Sequence, residues 1–280
     1  MARNLAALRT DKVERLLRRD NAIVIGSVCL IILAACWYTV AGIGMNMSAI
    51  EMTRMARPIG EPMQMRGGVI WNAGYAVLIF LMWWVMMIAM MTPSAAPTVL
   101  LYTALKRMGP EADRIAWLSL LFLTGYLIAW AAFSAAATFA QWGLELAGLS
   151  DGPMMTIRSK GFAGAVLIAA GLYQLSTLKT ACLRHCRSPG QFLAEHSRPG
   201  PWGAFRTGAL HGTYCLGCCW ALMLLLFVGG IMNLYWIVGV ALYVAAEKLM
   251  PRATWLVPLT GMALFVMGVW LIATPWVFAR

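Results

Sequence analysis

The chain has 280 residues, 61% of them hydrophobic and only 12% charged, with a formal net charge of +11. Soluble domains carry about twice that charged fraction, so the composition excludes an ordinary soluble fold and points to an all-α polytopic membrane protein. The basic excess then reads as an orientation signal in loops, and without a basic-aromatic module it does not indicate nucleic acid.

Residues 1–21 hold Arg3, Arg9, Lys12, Arg15, Arg18 and Arg19 among Leu5, Leu8, Leu16 and Leu17. That is the pattern of an amphipathic basic helix lying on an anionic membrane surface. Residues 22–280 read as one transmembrane domain. Its first span is expected over Ile23–Met45; Leu33-Ala-Ala-Cys36 has the form of a lipoprotein cleavage site, but the apolar run continues past it, so an uncleaved anchor is expected. The following loop, Asn46 to Gly68, carries Met47, Met52, Met55, Met63 and Met65.

A charge-free run from Gly67 to Leu105 is too long for one straight span of about 20 residues. It contains Pro93 and Pro97, and the expectation is a helix broken or kinked at Pro93. Along it Met82, Met86 and Met90 form one drifting stripe, with Met87 and Met91 on another face. Lys106 to Arg114 is a tight polar turn. A third span falls within Ile115–Leu149, a loop at Ser150–Lys160, and a fourth span over Gly161–Leu178, continuing toward Arg187 until Ser188-Pro189-Gly190 stops it. Residues 188–205 read as a polar loop. The cysteine-bearing span, a short sixth span over Ile231–Ala246 and a last one over Ala253–Val277 complete seven, with six or eight as the alternatives. Sixteen of the 22 Lys and Arg then fall on the side of the N-terminus, which places the N-terminus in the cytoplasm and the C-terminus outside.

Three groups of soft donors stand out. His211, Cys215 and Cys218 fall within an arc of about 60° on a helical wheel, with Cys219 at its edge. Thiolate and imidazole select Cu(I) or zinc over hard cations, although cysteine also packs as a small apolar residue, and Gly208, Gly212 and Gly217 suit close helix contacts. Cys182 and Cys186 are one turn apart at the end of the fourth span, so a combined site could draw on Cys182, Cys186, His211 and Cys215. Met86, Met90 and Met91 supply thioethers, which suit Cu(I); methionine is otherwise flexible core filler. The charged pair Glu247-Lys248 is expected to snorkel to the interface, with Glu247 alternatively orienting a ligating histidine. No catalytic triad, phosphate-binding loop, dinucleotide fingerprint or HExxH is present, which counts against hydrolase, ATPase and dehydrogenase activities.

Three blocks also resemble a known family. They are Trp84 to Pro97, Tyr173 to Pro189, and Gly212 to Met223 with Gly230-Ile-Met-Asn233 and Glu247-Lys248. Together, over about residues 70–250, they are similar to the bacterial predicted metal-binding integral membrane proteins, domain of unknown function 2182. The resemblance implies a bacterial inner-membrane protein with Cys182, Cys186, Cys215, Cys218 and Cys219 as metal ligands, and it implies no activity. The residues and the resemblance lead to one expectation: a bilayer protein that binds copper as Cu(I), or zinc or another soft metal, and transports it or hands it to a metallochaperone or another membrane subunit. The alternatives are a thiol-disulfide oxidoreductase using Cys215 and Cys218, and a structural subunit of a membrane complex with the tryptophans as interface anchors.

Overall fold

The computed structural model describes residues 25–26, 28–42, 48–54, 71–151, 156–250 and 254–277. Apart from a two-residue hairpin, Ser150–Asp151 paired antiparallel with Thr156–Ile157, the described residues form helices joined by short turns. In a lipid phase every backbone polar group must be satisfied within the segment, and helices do this locally. The helices are α1 (Val28–Ala41), α2 (Ala49–Arg54), α3 (Ala73–Arg107), α4 (Ile115–Leu146), α5 (Lys160–Gln174) and α6 (Thr177–Arg187). They continue as α7 (Pro189–His196), α8 (Gly200–Met223), α9 (Leu225–Gly229), α10 (Leu234–Leu249) and α11 (Leu256–Val277).

Among the described residues, four helical stretches are long and apolar enough to cross a membrane: 73–107, 112–146, 200–229 and 256–274. A fifth arises if α5 and α6, bent by 62° at their junction, count as one broken span. α1 and the 16-residue α10 are apolar but shorter than a full span. The surface helix expected at 1–21, and Met47, Met55, Met63 and Met65, lie outside the described residues; Met52, on α2, is buried.

Two expectations are corrected. The break expected at Pro93 does not occur: α3 runs continuously through Pro93 and Pro97, although each ring removes the donor its i−4 carbonyl needs. The loop expected over 188–205 contains α7, started by Pro189 in its first turn and anchored by buried Phe192 and Leu193.

Glycine decides which helices touch. A Cβ at Gly208 would stand 1.8 Å from the Phe122 carbonyl oxygen, one at Gly125 2.2 Å from that of Phe205, and one at Gly212 2.7 Å from Ala129 Cβ. Only hydrogen at these positions lets the α4 and α8 backbones approach so closely. Gly164 and Gly171 of α5 meet Gly268 and Gly261 of α11 in the same way.

At the end of the bundle where α3 passes into α4, Glu111 accepts from Lys106 Nζ at 2.6 Å and from the Gly200 N–H at 2.7 Å. The Lys106 bond first, then the Gly200 N–H, hold its carboxyl below the usual range. Lys106 Nζ also donates to the Arg198 carbonyl at 3.1 Å, tying the start of α8 to this turn.

The close approach predicts that Gly208→Ala destabilises the fold by about 1–3 kcal/mol through overpacking. Gly239→Ala, where nothing lies within 4 Å, should leave the thermal midpoint in detergent unchanged or raise it. Equal midpoints for the two variants would contradict this account of the α4–α8 contact.

Candidate metal centre

Helix α8 carries His211, Cys215, Cys218 and Cys219 into the interior, each no more than 3% exposed. Their spacing puts them on one side of the helix, and that side is covered by four others. The Cys218 and Cys219 thiols both donate to the Cys215 carbonyl at 3.0 Å. From α6, Cys186 Sγ lies 3.9 Å from Cys218 Sγ. From α3, Met91 Sδ lies 3.9 Å from Cys219 Sγ.

Cys215 has the most polar surroundings. Lys248 Nζ of α10 is 3.0 Å from its sulfur, and the Tyr126 hydroxyl of α4 is 3.2 Å away. The same ammonium donates to Ser94 Oγ at 3.2 Å and reaches Met91 Sδ at 4.0 Å. Tyr126 also donates to the Met91 carbonyl at 3.2 Å, joining α4 to α3 across the cluster.

The sequence expectations divide accordingly. Cys186, Cys215, Cys218, Cys219 and Met91 come together. Cys182 seats instead against the α8 backbone, its sulfur 2.7 Å from where a Gly217 Cβ would stand. His211 is one turn from Cys215; its ring packs 5.7 Å from Tyr126 and 5.1 Å from Phe192, and its Nδ1 has no hydrogen-bond partner. Met86 and Met90 are buried on α3, about one turn and more before Ser94.

Lys248 corrects the expectation that it snorkels: it is 5% exposed and turned into the cluster. Glu247 is 1% exposed and pairs with Lys179 Nζ at 2.7 Å, while Lys179 also donates to Gln174 Oε1 at 2.6 Å. The amide of Gln174 and the Tyr243 hydroxyl donate to Glu247 as well, so the carboxylate is satisfied without a histidine. The Arg187 Nε donates to the Glu247 carbonyl at 2.8 Å, fixing α6 against α10. Sequence reasoning missed Tyr126, Ser94 and the inward lysine. The available signal was the short sixth span: a 16-residue helix ending in two adjacent charges leaves one of them little chance of reaching water.

Chemically the arrangement is a dry group of soft donors with one built-in cation. Burying a thiolate costs several kcal/mol unless an opposite charge accompanies it, and an ammonium 3.0 Å away supplies that charge. Two thiolates on one metal at about 2.3 Å stand about 3.8 Å apart in tetrahedral geometry, close to the Cys186–Cys218 separation of 3.9 Å. Among the described residues, no three His, Cys, Asp or Glu side chains are placed so that they could hold a metal ion as they stand. The thiols of Cys218 and Cys219 are turned to the Cys215 carbonyl, and metal uptake would require them to lose that bond and their protons.

No curated protein and no solved structure matches this chain. A family model described as PpoB2, copper chaperone, matches residues 80–271, a stretch that contains Met91, Cys186, all three α8 cysteines and Lys248. The match is to a metal-related family, as the three sequence blocks imply, under a name different from theirs. Because that match spans 192 of the 280 residues, the chain belongs to the PpoB2 copper chaperone family.

Proposed function

We propose that this protein binds Cu(I) as its cargo inside the membrane and hands it to an acceptor. The ligands are Cys186, Cys215, Cys218 and Cys219, with Met91 as a thioether donor. The observation that carries the reading is the meeting of Cys186 and Cys218 at 3.9 Å beside a thiol held 3.0 Å from the Lys248 ammonium. Thiolates with a thioether favour Cu(I) over zinc, which thioethers bind poorly. Cu(I) held by two of these cysteines as thiolates, the other two staying protonated, carries one negative charge, and Lys248 brings the buried assembly to neutrality. Membership of a copper chaperone family supports the same cargo.

Cys182 and His211 flank the cluster as transfer positions, and Met86 and Met90 line the approach along α3. The arrangement belongs to a bacterial inner membrane, with seven spans, the N-terminus in the cytoplasm and the C-terminus in the periplasm. With no phosphate-binding loop in the sequence, movement of copper depends on a gradient or on a partner such as a metallochaperone or another membrane subunit.

Elemental analysis of detergent-purified, anaerobically prepared protein tests the reading directly. Wild type should hold about one copper per chain, and Cys215→Ser/Cys218→Ser none. No copper in wild type after loading would overturn the proposal and direct attention to thiol redox chemistry.

The charge balance makes a separate prediction. Lys248→Met should weaken Cu(I) binding about tenfold or more, about 1.4 kcal/mol, in competition against a Cu(I) chelator, and Lys248→Arg should recover part of the loss. Unchanged affinity in Lys248→Met would remove the lysine from the site.

A further inference from the structure

The chain has three histidines, on three different helices, and all three meet around one aromatic wall. His185 of α6 stacks on Tyr214 with ring centres 4.0 Å apart, and His196 of α7 stacks on Phe192 at 4.9 Å. The ring centres of His185 and His196 are 6.1 Å apart. Phe192 separates His196 from the buried His211, whose ring centre is 5.1 Å beyond it.

Both outer histidines are half-buried, unlike His211. Their Nδ1 atoms stand 3.0 Å from the Ala181 carbonyl and 3.1 Å from the Phe192 carbonyl. A carbonyl can only accept, so Nδ1 carries the proton in each ring, and the neutral form keeps its lone pair on Nε2. Donation of Nδ1–H to a backbone carbonyl is the usual device that fixes a histidine for metal binding through the other nitrogen. Metal–nitrogen bonds of about 2.0–2.1 Å put the ring centres of two facing imidazoles about 6 Å apart across one ion.

We propose that His185 and His196 form a second, exchangeable Cu(I) site, a port between the α6–α8 end of the bundle and the cysteine cluster. The inference rests on the copper reading of that cluster and adds a site to it. Neutral imidazoles leave the bound ion its positive charge, which water can screen at a half-exposed position. At the cluster the charge must be met by thiolates. Cargo therefore moves from weaker neutral donors to stronger anionic ones as it goes inward. The link inward runs along α6, where Cys186 follows His185 in the chain and its sulfur meets Cys218.

The test uses the full chain in detergent under anaerobic conditions, with Cu(I) alone as the probe. Phenylalanine keeps the ring stacking and removes the nitrogens, so His185→Phe/His196→Phe is the informative variant. It should keep the tight copper equivalent at the cysteines but load at least tenfold more slowly. Wild type labelled with 15N at histidine gives a readout that needs no substitution. As a second equivalent is added, the Nε2 signals of His185 and His196 should move together while their Nδ1 signals stay those of a protonated nitrogen. A tight first equivalent with unchanged loading in the variant, and unmoved imidazole signals in wild type, would overturn the port and leave the cysteine site standing. A wild type that takes up no copper at all would overturn both.

Discussion

An ammonium in contact with a cysteine sulfur, inside an apolar helix bundle, constrains most of what surrounds it. Lys248 cannot be buried unless something accepts its protons and balances its charge, and Cys215, Ser94 and Met91 are what it meets. Those partners come from α8 and α3, so the lysine on α10 holds three helices to one point. The neighbouring Glu247 makes the same demand with the opposite sign and is answered by Lys179, Gln174 and Tyr243. Two adjacent residues thus draw α5, α6, α3 and α8 onto α10, each through a charge that has no water to turn to.

Close helix packing makes these contacts reachable. Gly125, Gly208 and Gly212 remove the side chains that would hold α4 away from α8, and at that separation the Tyr126 hydroxyl arrives at Cys215. The bend between α5 and α6 does comparable work on the other side. Ser176 caps α6, accepting from the Lys179 N–H at 3.2 Å, and the 62° change of direction turns Lys179 inward and carries Cys186 over Cys218. A straight helix through 160–187 would carry Cys186 along the axis of α5, away from α8.

The soft donors grade from imidazole to thiol with burial. Half-buried imidazoles sit at one end, and a buried imidazole and buried thiols follow, one of them beside the ammonium. On the proposed reading, a monovalent soft cation would change its ligands along this series without a large net charge being stranded in the apolar interior.

The order of apolar runs determined an all-helical bundle, because no other local structure satisfies its own backbone in lipid. The 3.6-residue period determined that His211, Cys215 and Cys218 share a face, and the short turn at 106–114 and the end of α6 at Arg187 followed from the glycines, prolines and charges there. Periodicity has no access to distances between helices. Whether Cys182 or Cys186 reaches Cys218 depends on a bend at residues 175–176, and whether Lys248 snorkels or turns inward depends on the acceptors other helices bring. The meeting of His185, His196 and His211 likewise needed α7, where sequence suggested a loop. Local chemistry is written in the order of residues, but buried charge and soft-donor geometry are pair properties, and only the packed tertiary structure decides which pairs exist.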